Sequence, residues 1–211
     1  MASYSIADIA SWERFYRANF INSLTGFKSV NLIGTVNDQG QTNLGIFSSI
    51  VHIGSNPPLI GYINRPVKAA PHTLANIEAT KLYTINHIHP SFVQQAHQTS
   101  AKYEAAISEF EEVGLTPEFK ENIAAPFVKE SRIKYALSLQ EIIPIRLNDT
   151  FLVIGKVISI HIEEDIVSED GFLHLDKANS ICSNGIDGYY TAELLQRYQY
   201  AKPGNQPQKI N

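Results

Sequence analysis

The sequence predicts a mainly β chain, a closed antiparallel barrel with peripheral helices, and three observations carry that expectation. Asn37-Asp38-Gln39-Gly40 and Leu147-Asn148-Asp149 are turn signals between runs rich in Val, Ile, Leu and Thr, the pattern of β-hairpins. The run 151–163 carries Val153, Ile154, Val157 and Ile158, so its first half is apolar on both faces, as a barrel strand covered on its outside would be. Strands in hairpins, with helices inserted between them, argue for a closed antiparallel barrel plus peripheral helices.

The elements follow in order. Residues 5–20 place Ile6, Ile9, Trp12, Phe15, Tyr16 and Phe20 on one helical face, with Ser5 and Asp8 spaced as an N-cap pair, and residues 22–26 break that helix. Residues 30–36 read as a strand and 41–53 as its return, with Gly45 marking a bulge or a close approach by a ligand. Residues 59–63 form another short strand. Pro71 or His72 opens a short helix over 73–79, with Thr73 as N-cap, and 82–88 alternate as a strand. Pro90 and Ser91 begin a helix through about residue 98, and 101–113 is a charged helix with Ser108 and Glu111 spaced as a capping box. Between 116 and 131 the pattern is mixed, and Pro117 and Pro126 limit helix length. Two β-rich runs, 136–145 and 151–163, flank the second turn. Residues 166–179 are a loop or short element, 185–188 a break and 191–200 a last helix. Residues 202–211, with Pro203, Gly204 and Pro207, read as a flexible tail. The expected organisation is an N-terminal helical segment (1–26), a barrel domain (27–200) with a helical insertion at about 91–131, and a C-terminal tail (201–211).

Composition narrows the function. At 211 residues, 44% of them hydrophobic, the chain can bury one sizeable core. Its net charge of −4 and lack of a basic block argue against a nucleic-acid surface, which needs clustered Lys and Arg to neutralise phosphates. No apolar run approaches the ~20 residues of a membrane span, and the N-terminal residues lack the basic-then-apolar order of a signal sequence. Cys182 is the one cysteine, which forbids an internal disulfide and a cysteine-cluster metal site. A reducing cytoplasm is the expected compartment.

The stretch 43–86 holds the chemistry. Small residues, hydroxyls and amides (Asn43, Gly45, Ser48, Ser49) crowd where a strand would carry apolar side chains. Asn56-Pro57-Pro58, Asn64-Arg65-Pro66 and the helix start at His72-Thr73 follow within one crossover. Amides and hydroxyls suit the edges of a flat polar ring, and an Arg beside a helix N-terminus suits a phosphate. Lys68 adds a further cation on the loop. Spacing alone leaves open two ordinary strands with a solvated polar stripe, joined by a Pro-rich loop. His87 and His89 form a His-x-His pair that would share one face of a strand, without a third metal ligand at fixed spacing. No Ser-His-Asp constellation and no phosphate-loop or dinucleotide glycine motif is present.

The order Asn43-x-x-x-Phe47-Ser48-Ser49, Pro57-Pro58-Leu59, Asn64-Arg65-Pro66, His72-Thr73, Asn86 resembles the flavin reductase-like family of FMN-binding split barrels. Asn22 to Phe27, Leu32-Ile33-Gly34-Thr35, Gly155-Lys156-Val157 and Gly188-Tyr189-Tyr190 extend the likeness over most of the chain. One departure is His52-Ile53-Gly54, where many family members carry a second hydroxyl-rich step before the paired prolines. The resemblance implies an antiparallel split β-barrel of FMN-binding type and FMN in preference to FAD. It implies hydride transfer from NAD(P)H, a transient donor, through the flavin to a small-molecule electron acceptor. It also implies a homodimer, while the composition argues against nucleic acid or membrane as a partner. The cofactor contacts it implies are Asn43, Gly45, Phe47, Ser48, Ser49, Asn64, Arg65, His72, Thr73 and Asn86, and it designates no catalytic residue. The alternatives are a non-enzymatic flavin-binding or partner-binding protein and a histidine-based metalloprotein on a β-barrel.

Overall fold

The computed structural model describes residues 1–68, 71–120 and 122–210. Two helices, α1 (Ile6–Ser11) and α2 (Arg14–Leu24), stand where one was expected. The chain breaks at extended Trp12, and Glu13 becomes a second N-cap whose carboxylate accepts from the N–H groups of Phe15 and Tyr16 at 2.7 and 3.1 Å. The apolar stripe folds on itself: Tyr4, Trp12, Tyr16 and Phe20 meet edge to face with centroids 4.8 to 5.7 Å apart. α2 runs past the expected breaker because Asn22 and Ser23 bond back to the carbonyls of Ala18 and Asn19, each at 2.7 Å.

The strands that follow are β1 (Lys28–Ser29), β2 (Asn31–Val36), β3 (Thr42–Phe47), β4 (Ile50–Ser55) and β5 (Pro58–Asn64). The expected return strand over 41–53 is thus two strands, separated at Ser48 and Ser49. After α3 (Pro71–Thr80) come β6 (Leu82–His87), a 3-10 turn at Pro90–Phe92, α4 (Val93–Gln98) and α5 (Glu109–Val113). Only this last turn of the expected 101–113 helix forms. Ser108 stands at its N-cap position, yet its hydroxyl shares a 2.6 Å hydrogen bond with Thr42 instead of capping.

The expected helical insertion is half strand. β7 (Pro117–Lys120) and β8 (Ile123–Val128) pair as a hairpin, and β8 is laced onto β6 by Thr84 Oγ1 donating to Pro126 O at 2.6 Å. β9 (Ile133–Ile145) and β10 (Thr150–Ile162) form the long hairpin around the 147–149 turn. β11 (Cys182–Asn184) and β12 (Gly188–Tyr190) follow, turning at Gly185 with φ +67°. The expected 191–200 helix is absent among the described residues. β13 (Arg197–Tyr198) pairs instead with β14 (Lys209–Ile210), so the expected tail carries a strand. Arg197 fixes that geometry: it lies 4.0 Å over the Phe172 ring and pairs with Asp170. Asn211 lies outside the described residues.

Topology positions the site. Seven strands form one sheet in the order β3-β2-β6-β9-β10-β5-β4. Consecutive strands β3 and β4 are its opposite edges, yet only Ser48 and Ser49 separate them. A link that short spans roughly 10 Å, so the sheet must curl until its edges meet, leaving a split at this link. Ile33, Tyr62, Leu74, Ile77, Tyr83, Ile85, Leu137 and Val153 fill one core; Leu32, Leu44, Ile88, Phe92, Phe110 and Val128 fill a second under α4 and α5. No helix of the described residues is long and apolar enough to cross a membrane.

Candidate functional site

A cleft of about 900 Å³ opens at the split. Ser48 and Ser49 line it, and among the described residues neither their hydroxyls nor their backbone N–H groups donate a hydrogen bond; Ser49 O accepts from Ile63 N at 3.1 Å. β4 and β5 supply an apolar wall of Ile50, Val51 and Ile63. The opposite wall comes from the N-terminal segment: Ile21 and Asn22 of α2, then Thr25 and Phe27. β1 adds Lys28 and Ser29. Lys28 is half-buried, and its ammonium donates to Asn22 O at 3.0 Å and Gly185 O at 3.3 Å, tying α2, β1 and the β11–β12 turn together.

Of the ten residues expected to contact a cofactor, Ser48 and Ser49 line this cleft. Asn43 and Thr73 are brought together, but on each other: Asn43 Nδ2 donates to Thr73 Oγ1 at 3.1 Å and to Thr35 Oγ1 at 3.2 Å, and both residues are buried. With Asn76, which donates to Thr35 Oγ1 at 3.1 Å, they fasten α3 to the barrel. Gly45 sits in regular register opposite Ile33, so no bulge forms. The close approach it permits is by protein: a Cβ there would lie 3.1 Å from the Phe47 ring and 3.4 Å from Thr73 Oγ1. Phe47 packs edge-on against Tyr62 in the core, centroids 5.0 Å apart.

Asn86 is fully buried and spends its whole amide on the fold. Its Nδ2 donates to Leu32 O and Thr84 Oγ1 at 3.2 and 2.9 Å, and its Oδ1 accepts from Val128 N at 2.9 Å. It joins β2, β6 and β8 and has no group left for a ligand. Asn64 is equally buried, but its Oδ1 has no partner among the described residues, while Nδ2 donates to Arg65 O at 2.7 Å. Arg65 is exposed and forms no ion pair among the described residues. His72 is half-buried in the first turn of α3, within electrostatic reach of Glu109. Burial pushes the Glu109 carboxyl up; the bond it accepts from Leu44 N at 3.0 Å and the His72 charge pull it back. That bond occupies an N–H on the otherwise bare edge of β3.

His87 and His89 do not converge on a metal. β6 ends at His87, whose Nδ1 shares a 3.0 Å bond with Ser180 Oγ and which burial holds neutral, its pKa pushed down to about 4. His89 accepts from Ser91 N at 3.1 Å as the cap of the next turn. Among the described residues no group of three His, Cys, Asp or Glu side chains is placed to hold a metal ion.

The flavin reductase like domain family matches residues 25–180. The chain belongs to that family. A solved structure from Shewanella frigidimarina NCIMB 400, described as a candidate flavin reductase with a split barrel domain, is 48% identical. It has a TM-score of 0.92 and covers 95% of this chain and 100% of that one. Nitrilotriacetate monooxygenase component B from Bacillus cereus is 22% identical, with a TM-score of 0.80 over 96% of this chain and 98% of its own. An FMN-binding protein from Thermus thermophilus, solved with 1-cyclohex-2-enone bound, is 17% identical, with a TM-score of 0.67 over 90% and 96%. At these identities the last two share the fold. The family match begins at Thr25, so the α2 part of the cleft wall, Ile21 and Asn22, lies outside it.

The residues present fit a flavin. Phe27, Ile50, Val51 and Ile63 offer apolar surface to a flat ring; Ser48 and Ser49 offer unspent hydroxyls and N–H groups to its carbonyl and nitrogen edge; Lys28 offers a cation.

Proposed function

We propose that the protein is an FMN-binding oxidoreductase that takes electrons from NAD(P)H and passes them to a small-molecule acceptor. The observation that carries this reading is the Ser48–Ser49 link, which closes the barrel and leaves its hydrogen-bonding groups facing an apolar-walled cleft. Bound FMN supplies hydride chemistry at its N5. The chain's part is to bind and orient: Ser48 and Ser49 at the ring, with the exposed guanidinium of Arg65 and the first turn of α3 at His72 for the phosphate. Asn43 and Thr73 act one step back, holding α3 against the sheet. The sequence has no dinucleotide-binding glycine motif, so the nicotinamide would stack transiently from solvent.

A homodimer accompanies this reading. Val51 and Ile53 on the β4 edge, Ile158 and Ile160 on β10, and Phe15 and Leu24 on α2 are all exposed, apolar side chains that a second copy could cover. The reducing cytoplasm suits the unpaired Cys182.

Purified protein is expected to be yellow and to release FMN on denaturation, and to oxidise NADH or NADPH when an acceptor is supplied. Colourless protein that takes up no added FMN overturns the reading; bound FMN without nicotinamide oxidation leaves a flavin-binding protein. Light scattering should give twice the 23.5 kDa of one chain, and a monomer at micromolar concentration would refute the dimer.

A further inference from the structure

We propose that Lys28 is the cation that stabilises the negative charge a flavin gains on reduction in this cleft. The inference rests on the reading that the cleft holds FMN. Uptake of two electrons and one proton, supplied by dithionite and water or by a nicotinamide hydride, leaves the ring one unit more negative at neutral pH. A fixed cation beside the ring therefore favours the reduced form over the oxidised one.

Lys28 is the one charged side chain among the described residues lining the cleft. Among the described residues no carboxylate lines it and Lys28 forms no ion pair, so none of them compensates its charge. Two of its three N–H groups are held by the carbonyls of Asn22 and Gly185, at 3.0 and 3.3 Å. The first of these belongs to the last turn of α2, where carbonyl dipoles favour a cation. The ammonium is thus fixed before any ligand arrives. The apolar walls at Phe27, Ile50, Val51 and Ile63 lower the local dielectric and strengthen its effect. Arg65 differs on each count: it is exposed, held by no side-chain hydrogen bond or ion pair among the described residues, and outside the cleft lining, in keeping with a phosphate contact and not a ring contact.

The experiment measures the affinity of wild type, Lys28→Met and Lys28→Arg for oxidised and dithionite-reduced FMN, with riboflavin in parallel. Lys28→Met should lose at least tenfold more affinity for the reduced flavin than for the oxidised one. That ratio equals a fall of about 30 mV in the two-electron potential of the bound flavin. Lys28→Arg should keep the wild-type ratio, and riboflavin should behave as FMN does. If removing the clip unfolds the protein, Lys28→Gln keeps a donor for Asn22 O without the charge and should show the same shift. Equal loss for both redox states would make Lys28 a structural clip, and loss confined to FMN would make it a phosphate contact; either overturns the proposal. Wild type that binds neither state refutes the flavin reading itself, whereas wild type whose ratio is unmoved by Lys28→Met refutes this inference alone.

Discussion

Gly34→Ala should cost about 3 kcal/mol or more of stability. Gly34 lies mid-strand in β2, paired with Leu44 on one side and Thr84 on the other. β8 passes so close that a Cβ there would sit 2.2 Å from Pro126 O and 2.7 Å from Thr84 Oγ1. Neither atom is free to retreat. Thr84 Oγ1 donates to Pro126 O at 2.6 Å and accepts from Asn86 Nδ2 at 2.9 Å, and Asn86 in turn receives Val128 N at 2.9 Å. A methyl therefore either breaks this buried network or lifts β8 off the barrel. For a domain of this size the melting temperature should fall by about 6–12 °C. Gly54→Ala is the control: its nearest neighbour, Pro57 O, would be 3.4 Å away, so the change should stay within about 1 kcal/mol. A Gly34→Ala protein that melts with wild type would mean that β8 does not pack here.

This packing marks what local sequence could and could not convey. The hairpin turns were legible, because Asn37 bonds its own loop at Gln39 and Gln41 and Asp149 takes a φ of +56°. The 41–53 run alternates like one strand, and nothing in its pattern says that its halves belong to opposite sheet edges. That is a property of closure. The acidic 101–113 segment has helical composition, but Ser108 and Glu109 are engaged by Thr42 and Leu44 of β3, and only one helical turn survives. At the site, Ser48 and Ser49 stood out by residue type, and their placement follows from the link they form. Asn43 and Asn86 stood out for the same reason, yet which partner an amide finds is decided by α3 and β8, remote in sequence. Lys28 left no signal: one of its two carbonyls comes from Gly185, 157 residues away.

Replacing Ser48 and Ser49 together with Val should weaken the binding of FMN and riboflavin alike. Each hydroxyl that hydrogen-bonds a neutral ring edge is worth about 1 kcal/mol, so the pair amounts to about 30-fold in affinity. Neither position has a positive φ, so the link's backbone admits Val. No intramolecular hydrogen bond is lost, since neither hydroxyl bonds a described residue, and stability should move by less than about 0.5 kcal/mol. That separation of effects gives the test its force, because Ser48 and Ser49 are the expected contacts that line the cleft with their side chains unspent, whereas Asn86 could be changed only at the expense of the fold. Fluorescence titration of both flavins, with circular dichroism to confirm folding, decides it. A folded double variant that binds FMN as wild type does would move the ring away from the split, and a variant that loses FMN but keeps riboflavin would place the phosphate, not the ring, at Ser48 and Ser49.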